Sequence, residues 1–155
     1  MSALTFVELR QAVAAKLVAM TPPTGVTWTQ SPYLYDLFAR DPSTTAHGAW
    51  ALGMPTSSLT KELRNQDAQG GWVDTEFHVK FTTRVAPKDQ NTSFETALAI
   101  EHAVIKQIHT QDATWPLNFR MWWSGTSTRG LVSGSGEWLV TDIPFLVKFH
   151  LLPLS

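Results

Sequence analysis

Cysteine is absent from the chain, which excludes a disulfide framework and any thiolate-ligated zinc site. Charge of either sign is scarce. Only 16% of residues are Asp, Glu, Lys or Arg, and twelve cations against thirteen anions leave a net charge of −1. That balance supplies no general drive towards nucleic acid or an anionic membrane. No apolar run reaches the ~18 residues of a membrane span; the greasiest, IPFLVKFHLL, is broken by Lys148. The N-terminus, MSALTFVELR, has no basic segment leading into an apolar run, so no signal peptide is expected. These absences predict a soluble chain made in a reducing compartment. Chemical motifs are missing as well: there is no GxSxG, no phosphate-binding glycine loop, no HExxH and no paired-carboxylate motif. The expectation is a protein without catalytic residues, cofactor or metal.

What is present is a folded chain. Of its 155 residues 43% are hydrophobic, enough for one domain spanning residues 1–155 with a sizeable core. Seven tryptophans are many for this length, and tryptophan favours interfaces and large cores alike. Thr5 and Glu8 read as a capping box, and Phe6, Leu9, Val13, Leu17 and Met20 follow at helical spacing. The helix predicted over about 5–19 ends at Thr21-Pro22-Pro23. Residues 22–70 hold five of the nine prolines and read as loops with short strands at Val26–Gln30 and Trp50–Met54 and a short helix near Leu59–Asp67. A long strand follows Gly70-Gly71. A second helix is predicted over about 93–110, opened by Asn91-Thr92-Ser93, with Phe94, Ala97, Leu98, Val104, Ile105 and Ile108 as its apolar stripe. Strands at Leu117–Trp123 and about Glu137–Leu152 complete the chain. This order predicts an α+β fold: an antiparallel or mixed sheet with two main helices on one face and a long Gly/Ser-rich hairpin loop.

The long strand, GGWVDTEFHVKFTTRV, alternates without a break. Val73, Thr75, Phe77, Val79, Phe81, Thr83 and Val85 form a face for the core. Trp72, Asp74, Glu76, His78, Lys80, Thr82 and Arg84 form the other. Neighbours on that face stand about 6.5–7 Å apart, too far for Asp74, Glu76 and His78 to converge on a metal, and Lys80 and Arg84 oppose a cation there. Mixed charges on one strand face are usually solvated cross-strand pairs, and the row reads as an assembly surface. His102, Lys106 and His109 share one side of the second helix and read as a solvated polar face. Glu101, by contrast, falls inside that helix's apolar stripe. A buried carboxylate needs a partner, and Arg84 and Arg120 of the sheet are the candidates for a structural or subunit-bridging ion pair.

The segment Ser124–Gly136, SGTSTRGLVSGSG, has four glycines and four serines in thirteen residues. It carries Arg129 and, at its centre, the apolar pair Leu131 and Val132. Two readings stand side by side. The pair folds back on its own sheet as a hairpin, or the segment is a flexible arm with a small apolar anchor for a partner.

The Gly-led strand WVDTEFHVKFTTRVAP, the helix SFETALAIEHAVIKQI and the closing GEWLVTDIPFLVKFHLLPL together resemble the tail terminator (tail completion) proteins of long-tailed bacteriophages. The resemblance covers roughly residues 60–155; residues 20–60 agree only in character. It implies a structural virion protein made in the host cytoplasm, an α+β subunit forming a homo-oligomeric, six-membered ring. Such a ring caps the tail tube and joins it to the head-completion (stopper) proteins of the neck. Genomic DNA passes through its channel without sequence-specific binding, and no membrane is involved. The family has no catalytic residues to carry over. The expected subunit or partner interface comprises Trp72, Asp74, Glu76, His78, Lys80, Arg84, Glu101, Arg129, Leu131 and Val132. Two alternatives remain: another phage tail or neck subunit of tail tube or baseplate type, or a sugar-binding module using exposed tryptophan rings on a sheet.

Overall fold

The computed structural model describes residues 5–36, 38, 46–59, 71–110, 115, 119–134 and 136–151. Helix α1 (Phe6–Val18) begins where the sequence carries its start signal. Thr5 Oγ1 accepts the Glu8 N–H at 3.1 Å, and the Glu8 carboxylate accepts the Thr5 N–H at 2.8 Å, so two otherwise orphaned donors are satisfied reciprocally. Leu9, Val13 and Leu17 bury one stripe of the helix completely. Its C-terminal end is tied down by the Trp28 indole N–H, which donates to Leu17 O at 2.9 Å.

Strands β1 (Thr29–Gln30), β2 (Ala49–Leu59) and β3 (Gly71–Arg84) come next, then helix α2 (Gln90–His109) and strands β4 (Phe119–Trp123), β5 (Thr128–Gly134) and β6 (Gly136–Leu151). The result is an α+β fold, a mixed six-stranded sheet packed against two helices. The sheet order is β1-β2-β3-β6-β4, with β5 also on β6, and β1–β2 is the parallel pair. Along β6, β4 pairs from Phe145 to Phe149 and β5 from Gly136 to Asp142. The two are therefore halves of one edge strand, parted by a bulge at residues 124–127.

Strict alternation places Phe77, Val79 and Phe81 of β3 and Ile143, Phe145, Val147 and Phe149 of β6 on one face. There they meet Trp50 and Leu52 of β2, the α1 stripe, and Ala97, Ile100, Val104 and Ile108 of α2 in a single core. Each large side chain buried this fully contributes about 1.5–3 kcal/mol. Trp28 stacks on Trp50 at a centroid distance of 5.7 Å, closing the core at the β2 side.

Several sequence expectations are corrected. The strand expected at Val26–Gln30 shrinks to the two residues of β1. The one expected at Trp50–Met54 extends to Leu59, past a register irregularity between Gly53 and Thr56 where Pro55 has no N–H to offer a ladder. Of the short helix expected near Leu59–Asp67, residues 60–67 lie outside the described residues, and Leu59 is strand. Helix α2 starts before Asn91, because Asp89 is its N-cap and accepts the Thr92 N–H. Phe94 and Leu98, assigned to the apolar stripe, are 46% and 40% exposed, because the helix is rotated to seat Ala97, Ile100, Glu101, Val104 and Ile108. Residues 128–134, expected inside a Gly/Ser-rich loop, are strand laddered to β6. A chain that must return antiparallel along a sixteen-residue β6 satisfies its backbone groups by pairing, whatever its composition. No helix among the described residues is long and apolar enough to cross a membrane.

Candidate functional site on the outer face of the sheet

The outer face, opposite the helices, begins with small residues. Because Trp50 and Leu52 turn into the core, Ala49, Ala51 and Gly53 turn outward. Register then sets Ala51 beside Lys80 and Gly53 beside His78 on β3, while Lys80 faces Asp142 and His78 faces Pro144 on β6. A segment crosses over this low floor. Phe38 is 1% exposed, seated on Ala49 and Ala51 with Val140 alongside. The Tyr35 ring fills the space above Gly53, where an added Cβ would stand only 2.4 Å from the ring's Cγ.

Tyr35 is held at both ends. Its ring lies over Lys80 Nζ at 4.1 Å, a cation–π contact. Its hydroxyl donates to Asp142 Oδ2 and stands 3.2 Å from His78 Nδ1. His78 Nδ1 also lies 2.9 Å from Asp142 Oδ1, and its Nε2 lies 3.3 Å from Glu76 Oε2. The hydrogen bond to Asp142, working against burial, raises the His78 pKa, with Glu76 adding to the effect. Burial alone would raise the Asp142 carboxyl, but hydrogen bonds from His78 and Tyr35 outweigh it and hold the group below its ordinary value. Burial, then the Asp142 carboxylate, pushes the Tyr35 phenol far up, so its hydroxyl stays a donor. Tyr35, His78, Asp142 and Glu76 are thus engaged with one another. The cluster ties a crossing segment to two strands, β3 and β6. No group of three or more His, Asp or Glu among the described residues is arranged to hold a metal.

The other candidate residues are dispersed. Asp74 lies 4.0 Å from Lys148 at the far end of β3, a largely solvated pair of small energetic consequence. Of Trp72 the structure gives the backbone, paired with His150; its side chain lies outside the described residues. Arg84 does not reach Glu101. It lines a cleft of about 190 Å³ with His47, Thr24, Asp89 and Thr92, and its N–H donates to His47 Nδ1 at 3.1 Å. Burial lowers the His47 pKa, which favours the neutral ring that accepts this bond. Arg120 does not reach Glu101 either, because register sets it across from Lys148 on the outer face. The partner of Glu101 is Arg129 of β5, an ion pair with both side chains largely covered, and the Arg129 guanidinium also stands 5.8 Å from the Phe94 ring centroid. Leu131 is 69% exposed, with Val132 only half-buried, so the apolar pair is not folded into the core. His109 is not merely solvated: its Nε2 accepts the Trp123 N–H at 2.9 Å and anchors the end of α2 to β4.

The sequence matches no protein-family model and no curated protein.

Sequence reading missed Tyr35, Asp142, Phe38 and Gly53. A signal was there: Ala49, Ala51 and Gly53 alternate with Trp50 and Leu52. Three small residues on one strand face make a shallow channel that another segment of chain can fill. The notch yields a prediction. Gly53→Ala is expected to displace the Tyr35 ring and cost about 1–3 kcal/mol in urea unfolding. Wild-type stability of this variant would mean that Tyr35 does not occupy the notch.

Proposed function

We propose that this chain is a structural subunit of a bacteriophage tail, of the tail terminator type. Copies would assemble as a ring that caps the tail tube, meets the head-completion proteins of the neck and lets DNA pass without specific contacts. The observation that carries the proposal is the edge formed by β4 and β5. Among the described residues this edge pairs with no further strand. Unpaired edges are templates for association, and this one bears exposed Trp122 and Leu131. The resemblance noted above supplies the ring. A head-to-tail contact between unlike surfaces closes into a ring when the rotation allows.

A sugar-binding platform of several tryptophans is less well supported. Trp50, Trp115 and Trp138 are buried, and Trp28 and Trp123 are partly buried with their indole N–H groups engaged on Leu17 O and Ser127 Oγ. Trp122 is the one strongly exposed ring among the described tryptophan side chains. The test is native mass spectrometry with electron microscopy of the purified protein. A closed oligomer of single stoichiometry is expected, and Leu131→Asp is expected to weaken it while the monomer stays folded. A wild-type protein that remains monomeric at every concentration, and in the presence of tail tubes, would sink the proposal.

A further inference from the structure

The segment that crosses the outer face (residues 31–36 and 38) rests on a network whose hydrogen-bond arithmetic depends on one proton. Tyr35 O–H, His78 Nδ1–H and His78 Nε2–H are three donors, and they meet three acceptors: Asp142 Oδ2, Asp142 Oδ1 and Glu76 Oε2. The match requires both ring nitrogens to carry a proton. Charge agrees. A protonated His78 together with Lys80 balances Asp142 and Glu76, whereas a neutral His78 leaves an anion in excess, to which Asp36 of the crossing segment adds. From β2 the residues facing the cluster are Ala51 and Gly53, which bring no titratable group.

We propose that the crossing segment is a pH-dependent latch, closed on the outer sheet face while the His78 ring carries two protons and loosened when it carries one. One backbone bond to the sheet and one turn within the segment define how it opens. Ser31 N–H donates to Trp50 O at 2.7 Å, and Phe38 N–H donates to Leu34 O of the segment's own turn at 2.8 Å. The Ser31 bond lies at the start of the segment beside the sheet edge and serves as its hinge. Phe38 has no polar tie to the sheet among the described residues, only its seat on Ala49 and Ala51. Loss of the Tyr35–Asp142–His78 connection therefore frees Tyr35 and Phe38 while the Ser31 bond holds. Opening exposes the outward faces of Ala51, Gly53, His78 and Lys80. The latch does not depend on ring formation and stands whether or not copies assemble.

The sign follows from linkage. His78 has a higher pKa in the closed state than its ordinary 6.5, so its contribution is fully present below that value and is lost as pH rises through the closed-state pKa. Asp142 is depressed below its ordinary 3.8, so its contribution is present above that value and is lost as pH falls through the depressed one. The latch is tightest between the two.

The test is amide exchange by NMR on the wild-type protein, as protection factors corrected for intrinsic rate, at about pH 5.5 and about pH 8.5. The Phe38 amide reports the latch, because its bond to Leu34 O closes a single turn that has no stability of its own off the sheet. The Val79 amide, in a strand paired on both edges, reports global stability. Phe38 is expected to be less protected than Val79 at both pH values, the mark of a local opening. Its protection is expected to fall at the higher pH by about tenfold per unit of raised His78 pKa. Val79 falls by that factor at most, because His78 also titrates at its ordinary value in the unfolded chain. The His78 ring, titrated in the same sample, is expected to lose its proton over the same interval. His78→Gln is expected to abolish the difference. Equal Phe38 protection at both pH values overturns the proposal. So does a His78 ring that titrates outside the interval of the change, or an unaltered pH dependence in His78→Gln.

Discussion

Arg129→Met is expected to destabilise the fold by about 3–5 kcal/mol, because it strands the Glu101 carboxylate in the core-facing side of α2 with no counter-charge. Glu101 is 8% exposed. The reverse change should be milder. Glu101→Gln leaves the Arg129 guanidinium without its anion, but its side chain is 22% exposed and long enough to turn towards water, so about 1–2 kcal/mol is expected. The double replacement Glu101→Leu with Arg129→Met removes both charges and keeps apolar volume, and should cost no more than about 1 kcal/mol. The three variants form a cycle whose coupling energy measures the pair directly. In a thermal melt, Arg129→Met alone should lower Tm by roughly 6–20 °C. Single variants whose losses simply add would show that the two side chains do not act as a pair. The pair also ties the start of the Gly/Ser-rich strand β5 to the helix above it.

Gly48→Ala is the second large effect. Gly48 has φ +79°, a left-handed conformation costly for residues with a Cβ, and an added Cβ would lie 2.0 Å from the Thr27 carbonyl oxygen. The obstructing atom is backbone and cannot swing aside. Gly48 also joins two elements, since its N–H donates to Thr82 O at 2.9 Å and its carbonyl accepts the Thr29 N–H at 3.1 Å. Relief of the clash must therefore pull β1 or β3 out of register. A loss of at least about 3 kcal/mol is expected. Gly25→Ala is the control: its φ is +84° but nothing lies within 4 Å of the added Cβ, so only the backbone cost of about 1–2 kcal/mol should appear. The difference between the two in denaturant unfolding isolates the clash. Equal losses would contradict the close approach at Thr27.

Local signals in the sequence were enough for α1, β3 and β6. The Thr5–Glu8 capping box and the period-two runs at 73–85 and 143–151 depend only on neighbours along the chain, and each specifies one face for burial. That Glu101 needed a buried partner could also be read from its helical position. Which partner it took could not. Arg84, Arg120 and Arg129 all lie on strands, and only register on β6 puts Arg129 on the helix side while Arg120 faces outward. The same holds for β5, where a Gly/Ser composition favoured a loop until the unpaired edge of β6 offered its backbone a ladder. The Tyr35–Asp142–His78–Glu76 cluster joins positions up to 107 residues apart. Alternation settles only that His78 and Glu76 point outward; that Tyr35 descends on them, and that Asp142 lies diagonally across, is decided by strand pairing and by the room Gly53 leaves. Periodicity selects the face each side chain occupies, whereas its partner on that face is selected by register and by which segment of chain crosses it.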